Sequence, residues 1–437
     1  MLAQVLTRLG VRRVFGETLP GAEPLDAGVR DAAIAGVLAA ADGAVGTGLG
    51  VSFDGARLTF TSDPGATDDG DVVTVSNVAG LADAVVDART RGAGAVTVEL
   101  GFDTARDRSE TVTTPEPGDP SIAARLPAPE LASAGDVPLV FDMILAGSGV
   151  IRAGAVEALR ALADATGLGV LNVFTAKGLF RWDSPYHLGT AGLQLHDFSY
   201  AGLAPDRPVL AVGVGRDECP APVLADAGLS PGRAWPISQI APDRLASVTG
   251  VVRAAHDGPP VLGELYARLS GVAQPLYLVE SVPLNPARAA ADVAESLPEG
   301  GVVTLAPGHA GLWVARTLPT TQLGSVRVPA TASPGLALAA AVLFALEGRP
   351  VVAVVDELHT PEHDLLLELA RSRQLDLVVA VWGSDGDIDS PAHHRALLAD
   401  AFAQPGVTVL TIPIDYTEPD RLLTDAAGPL AAWQDAI

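Results

Sequence analysis

Carboxylates and a histidine stand just where apolar runs of this chain give way to turns. Asp356 and Glu357 directly follow Val351 to Val355, and Asp385 comes shortly after Leu377 to Val381. Hard carboxylate oxygens suit a cation such as magnesium, which demands octahedral oxygen geometry, so Asp356, Glu357 and Asp385 are candidate metal ligands. The same three residues also fit an exposed acidic loop after a strand. Gly308 and His309 stand in the turn after Val302 to Leu305. His359, His363, His393 and His394, with Glu362 and Asp364, suggest a second metal cluster. Their spacing matches no zinc signature, and surface histidines on an acidic protein are the expectation.

A different chemistry is offered by Gly147 to Leu162, GSGVIRAGAVEALRAL. Gly147 and Gly149 let the chain turn sharply, and the helix that follows presents free N–H groups to an anion. Arg152, and Arg216 in the Gly213 to Arg216 turn, could each pair with a phosphate. Gly147, Gly149 and Arg152 are therefore candidate contacts for an anionic group such as a phosphate. The same glycines also make the ordinary turns of any doubly wound fold. Cys219 is the only cysteine, which excludes an internal disulfide and reads as a small buried apolar side chain.

These residues are spaced by short β-rich runs, Val72 to Val75, Ala95 to Leu100, Val209 to Gly213, Val302 to Leu305, Val351 to Val355 and Leu377 to Val381, set between Ala- and Leu-rich helical stretches. Such alternation predicts an α/β protein with parallel sheets. A Pro- and acid-rich stretch from Thr113 to Pro129 and the Pro-bearing region Pro259 to Pro286 read as linkers. They divide the chain into expected domains at 1–115, 130–270 and 285–437.

A chain of 437 residues exceeds what one hydrophobic core usually serves, and 48% hydrophobic against 18% charged residues excludes a disordered protein. The net charge of -24 opposes binding to nucleic acid or anionic lipid, since both attract clustered Lys and Arg. Lys177 is the sole lysine. No apolar run spans a bilayer, and residues 1–10 lack the pattern of a signal peptide, so a cytoplasmic protein is expected.

The motifs, taken in order, resemble thiamine-diphosphate-dependent enzymes of the acetolactate synthase type. Leu6 to Gly16, LTRLGVRRVFG, is similar to their N-terminal helix and strand, Thr61 to Thr67, TSDPGAT, to their TSGPGAT loop, and Leu81 to Asp103 to the close of their pyrimidine-binding domain. Gly147 to Leu162, Ala176 to Phe180, His187 to Gly189 and Val209 to Glu218 resemble four successive segments of their central domain. Val303 to Trp313, Ser333 to Ala341 and Val351 to Ala370 resemble their diphosphate-binding domain, which implies Gly308, His309, Asp356 and Glu357 as cofactor contacts. The resemblance implies three doubly wound parallel-sheet domains, the first truncated, in a homodimer or higher homo-oligomer, or paired with an active paralogous subunit.

The resemblance also shows what is missing. Ile34 stands where the family's activating glutamate is expected, and Asp31 lies one helical turn away. Asp356, Glu357 and Leu358 replace the family's G-D-G, and Val381, Trp382, Gly383 and Ser384 stand where its paired Asn belongs. The cofactor stays open between thiamine diphosphate with magnesium, FAD at the central turns, and none. The leading expectation is a protein without the usual carboligase or decarboxylase activity that acts by binding or assembly. The alternatives are an active carboligase or 2-oxo acid lyase with a rebuilt site, and a flavin or nucleotide binding module.

Overall fold

The computed structural model describes residues 2–46, 49–61, 71–75, 80–81, 83–85, 95–100, 139–215, 218–229, 237–240, 242–256, 258, 260 and 262–433. Most of TSDPGAT, part of Leu81 to Asp103, the linker Thr113 to Pro129, and Arg216 lie outside the described residues.

The first unit begins with α1 (Leu2–Arg8), after which Gly10 takes a left-handed φ of 90° that turns the chain toward β1 (Val14–Gly16). Next comes α2 (Ala32–Ala41), whose N-terminus is capped by Asp31 accepting from the Ile34 N–H at 3.1 Å. Four strands complete the unit: β2 (Gly50–Phe53), β3 (Arg57–Thr61), β4 (Asp71–Val75) and β5 (Ala95–Leu100). Their order is β1-β2-β3-β5-β4, and β3 runs antiparallel to both neighbours, so this sheet departs from a wholly parallel one. The reason is local. Asp54 Oδ1 accepts from the N–H groups of Ala56 at 2.9 Å and Arg57 at 2.7 Å, which closes a tight turn too short for a parallel crossover.

In the central unit β6 (Leu139–Phe141) leads into β7 (Met143–Ala146), α3 (Gly149–Arg152), α4 (Val156–Thr166), β8 (Val170–Val173) and β9 (His187–Ala191). It continues with α5 (Asp197–Tyr200), β10 (Val209–Val212), α6 (Ala221–Asp226), β11 (Ile237–Ile240), α7 (Leu245–Val248) and β12 (Val252–Ala254). Five strands make a parallel sheet of order β11-β10-β7-β8-β9, and β6 pairs with β12 beside it. Strands β7, β8 and β10 are buried along their whole length, as strands covered by helices on both faces must be.

After α8 (Glu264–Tyr277) the last unit comprises α9 (Pro286–Ser296), β13 (Val302–Leu305), α10 (His309–Thr317), β14 (Val326–Arg327), α11 (Leu336–Leu346) and β15 (Val351–Val355). It ends with α12 (Pro361–Ser372), β16 (Leu377–Gly383), α13 (Pro391–Ala403), β17 (Val407–Pro413) and α14 (Thr417–Ala427). The parallel order is β14-β13-β15-β16-β17, which reverses direction between β13 and β15. In the central sheet the reversal falls between β7 and β10. Crevices at such reversals, outside the carboxyl ends of the strands, are where doubly wound sheets receive ligands. Among the described residues no helix is long and apolar enough to cross a membrane.

Helix α11 is apolar all round and ten of its residues are buried, which a helix on a sheet achieves only if something covers its far side. That cover is α2. Ile34, Ala35, Leu38 and Ala39 share one core with Leu336 to Ala345 and with Leu366 and Leu367 of α12, so the first and last units join within a single chain.

Candidate functional site

The crevice between β13 and β15 gathers the candidate residues of the last unit. A helix starts at His309 because Gly308 can bring its backbone against the end of β15; a Cβ on Gly308 would collide with the Asp356 carboxylate. Asp356 Oδ1 accepts from the Ala310 N–H at 2.8 Å, so this carboxylate sits on the positive end of α10. Its pKa is raised, chiefly by burial. The Ala310 hydrogen bond and nearby His309 pull the other way, and Glu357 and Asp420 add to the rise. His309 Nδ1 lies 2.9 Å from Asp420 Oδ2, and the other Asp420 oxygen accepts from Trp313 Nε1 at 2.6 Å. The His309 side chain is 48% exposed and its ring centroid lies 5.3 Å from that of Tyr416, whose buried hydroxyl has no hydrogen-bond partner among the described residues. An exposed imidazole oriented by a fixed carboxylate is placed as an acid–base group.

The other expected contributors are elsewhere or turned to solvent. Glu357 and Asp385 are exposed, and Asp385 lies in the loop after β16. Among the described residues no group of three or more His, Cys, Asp or Glu side chains is placed to hold a metal ion, so Asp356, Glu357 and Asp385 are not assembled as a ligand set. The four histidines near α12 and α13 form no cluster either, and two of them correct the surface expectation. His394 is fully buried against Asp292 at 3.0 Å, and His363 is buried in the capping box of α12. Ile34 is 8% exposed and belongs to the core between α2 and α11.

In the central unit Gly147 and Gly149 end β7 and start α3 where the backbone after β10 crosses them. Their N–H groups donate to the carbonyls of Val212 and Gly213, both at 2.9 Å, and a Cβ on either would strike Gly213. Glu218 lies in the same turn, 3% exposed. Arg152 does not stand free: it donates to Ser148 Oγ at 2.6 Å.

Two features escaped sequence reasoning. Arg316 of α10 reaches both oxygens of Asp197 at 2.6 Å each, fully buried, and also donates to the Thr190 carbonyl at 2.8 Å. Lys177 follows β8 into the interior, and burial, then the charge of Arg316, lowers its pKa to about 7. An ion pair between residues 119 apart carries no local pattern, but a single lysine in an arginine-rich chain was a visible oddity.

The comparisons with known proteins bear on the whole arrangement. Residues 142–225 match the family model for the central domain of thiamine pyrophosphate enzymes. A solved structure from Mycobacterium smegmatis, itself provisionally assigned as a thiamin diphosphate-dependent enzyme, aligns with a TM-score of 0.59 at 17% identity, over 94% of this chain and 98% of that one. No curated protein matches the chain by sequence. The central sheet and its glycine turn thus match the central domain of thiamine pyrophosphate enzymes over residues 142–225, and the chain shares the fold of that solved structure over nearly its whole length.

Proposed function

We propose that the chain has kept the family's fold but lost its usual carboligase or decarboxylase activity, and that it acts by binding or assembly. The observation that carries this reading is the seat of Asp356. Its carboxylate lies against Gly308 and takes the Ala310 N–H, so the positive end of α10 at the sheet reversal already faces the chain's own carboxylate. A diphosphate arriving there would compete with that carboxylate for the same N–H. Ile34 offers no proton to an aminopyrimidine and is engaged in packing. Asp356, Glu357 and Asp385 make no ligand group. These residues do not fit thiamine diphosphate with magnesium, the cofactor that the family suggests. The role that remains is association with a second copy or with an active paralogous subunit, in the cytoplasm.

Calorimetric titration of the purified protein with thiamine diphosphate plus magnesium tests the proposal. No heat at millimolar cofactor is expected, and micromolar binding would overturn it. The His309–Asp420 pair favours a second reading, a carboligase or 2-oxo acid lyase with a rebuilt site, because an oriented imidazole is an acid–base group. Micromolar binding, with turnover of a 2-oxo acid that is lost in His309→Ala, would select that reading.

A further inference from the structure

The central sheet has its own reversal between β7 and β10, and there the chain supplies an anion from within. Glu218, on the segment that follows β10, points its carboxylate into the turn between β7 and α3. Glu218 Oε1 accepts from the Ser148 N–H at 3.1 Å, from the Ser148 hydroxyl, and from Thr175 Oγ1 at 2.6 Å; Oε2 accepts from the Gly215 N–H at 2.6 Å. Two backbone N–H groups and two hydroxyls around a buried charge are the donors that a phosphate would use. Arg152 supports the same network one step out, through Ser148 Oγ.

We propose that Glu218 is a resident anion that fills the phosphate position of the central unit, so that this unit takes no flavin or other dinucleotide there and serves as a structural core. Space argues for this as well as charge. A Cβ at Gly147 would strike the Glu218 carboxylate and the Gly213 carbonyl together, so backbone and carboxylate already occupy the turn. Gly213 itself, at φ 61°, lets the β10 segment press against Gly149 and Val150. The glycines here serve close passage of one backbone past another, with the carboxylate as the bound group. This inference concerns a different sheet from the Asp356 crevice and stands whatever the thiamine diphosphate titration gives.

The test compares the protein with Glu218→Ala and Glu218→Gln by thermal melting in FAD, inorganic phosphate and acetate. The unmodified protein should be colourless and show no shift with millimolar FAD or phosphate. Glu218→Ala should melt several degrees lower and regain much of that loss in acetate or phosphate, as the emptied donors take an external anion. Stoichiometric FAD with micromolar affinity in the unmodified protein would overturn the proposal, as would a Glu218→Ala protein indifferent to both anions. If Glu218→Ala does not fold, Glu218→Gln decides: a melting temperature equal to the unmodified protein's would refute a charged ligand, and a clear loss supports it.

Discussion

Lys177 shows how far burial, helped by the nearby charge of Arg316, can move a group in this chain. Its side chain is 6% exposed and no carboxylate pairs with it among the described residues. The folded state releases its proton near pH 7, while the unfolded chain holds it to about 10.5. Between those values the unfolded state binds more protons, so stability rises with pH across that window, by at most about 1.4 kcal/mol per unit. Lys177→Met should therefore melt higher than the unmodified protein at pH 7 and below, and the gain should fade toward pH 10. Melting curves from pH 6 to pH 10 check this, and parallel curves for the two proteins would mean that Lys177 stays charged in the fold. At this scale the sequence was half legible. Asp356, His309 and Gly308, expected at strand ends, do meet at the reversal between β13 and β15. Glu218 was not singled out as a site residue, since only the folded turn brings it onto Ser148, Thr175 and Gly215.

Helices and strands were more legible than their partners. Each β-rich run read from the sequence is a strand, with Ala95–Leu100, Val302–Leu305 and Val351–Val355 at the same limits; the last two are buried parallel strands that read as continuous apolar runs, whereas Ala95–Leu100 shows the alternation of a half-buried strand. The antiparallel β3 was missed because its signal is a short Asx turn between unremarkable segments. What α2 packs on was also invisible, although the unbroken apolar surface of α11 demanded some cover. This pairing gives Ile34 its meaning. If Ile34 is a packing residue, Ile34→Glu will not restore a cofactor contact and will bury an unpaired carboxylate between α2 and α11, at a cost of about 3–5 kcal/mol. Denaturant unfolding should shift to much lower midpoints. A stable Ile34→Glu protein that also binds thiamine diphosphate would show instead that this position faces the cofactor.

At the scale of the molecule, both sheet reversals are met by the chain's own carboxylates, Asp356 at α10 and Glu218 at α3, in a protein of net charge -24 that has few cations to spare. The cations it does bury hold units together. Arg316 reaches from α10 to Asp197, which also accepts from the N–H groups of Leu193 at 2.8 Å and Gln194 at 3.0 Å, so one carboxylate ties the central unit to α10. Removing only the cation leaves a buried charge with two N–H donors and no counter-ion. Arg316→Met should then cost about 3–5 kcal/mol, much of which returns when Asp197→Asn is added, because the orphaned charge goes with it. Denaturant curves of the two single variants and the double variant measure the coupling. Because the pair spans two sheets, Arg316→Met should also separate their unfolding, so that fluorescence and circular dichroism transitions no longer coincide. Strictly additive single effects with a single shared transition would mean that the apolar contacts between the units, not this ion pair, make them fold as one.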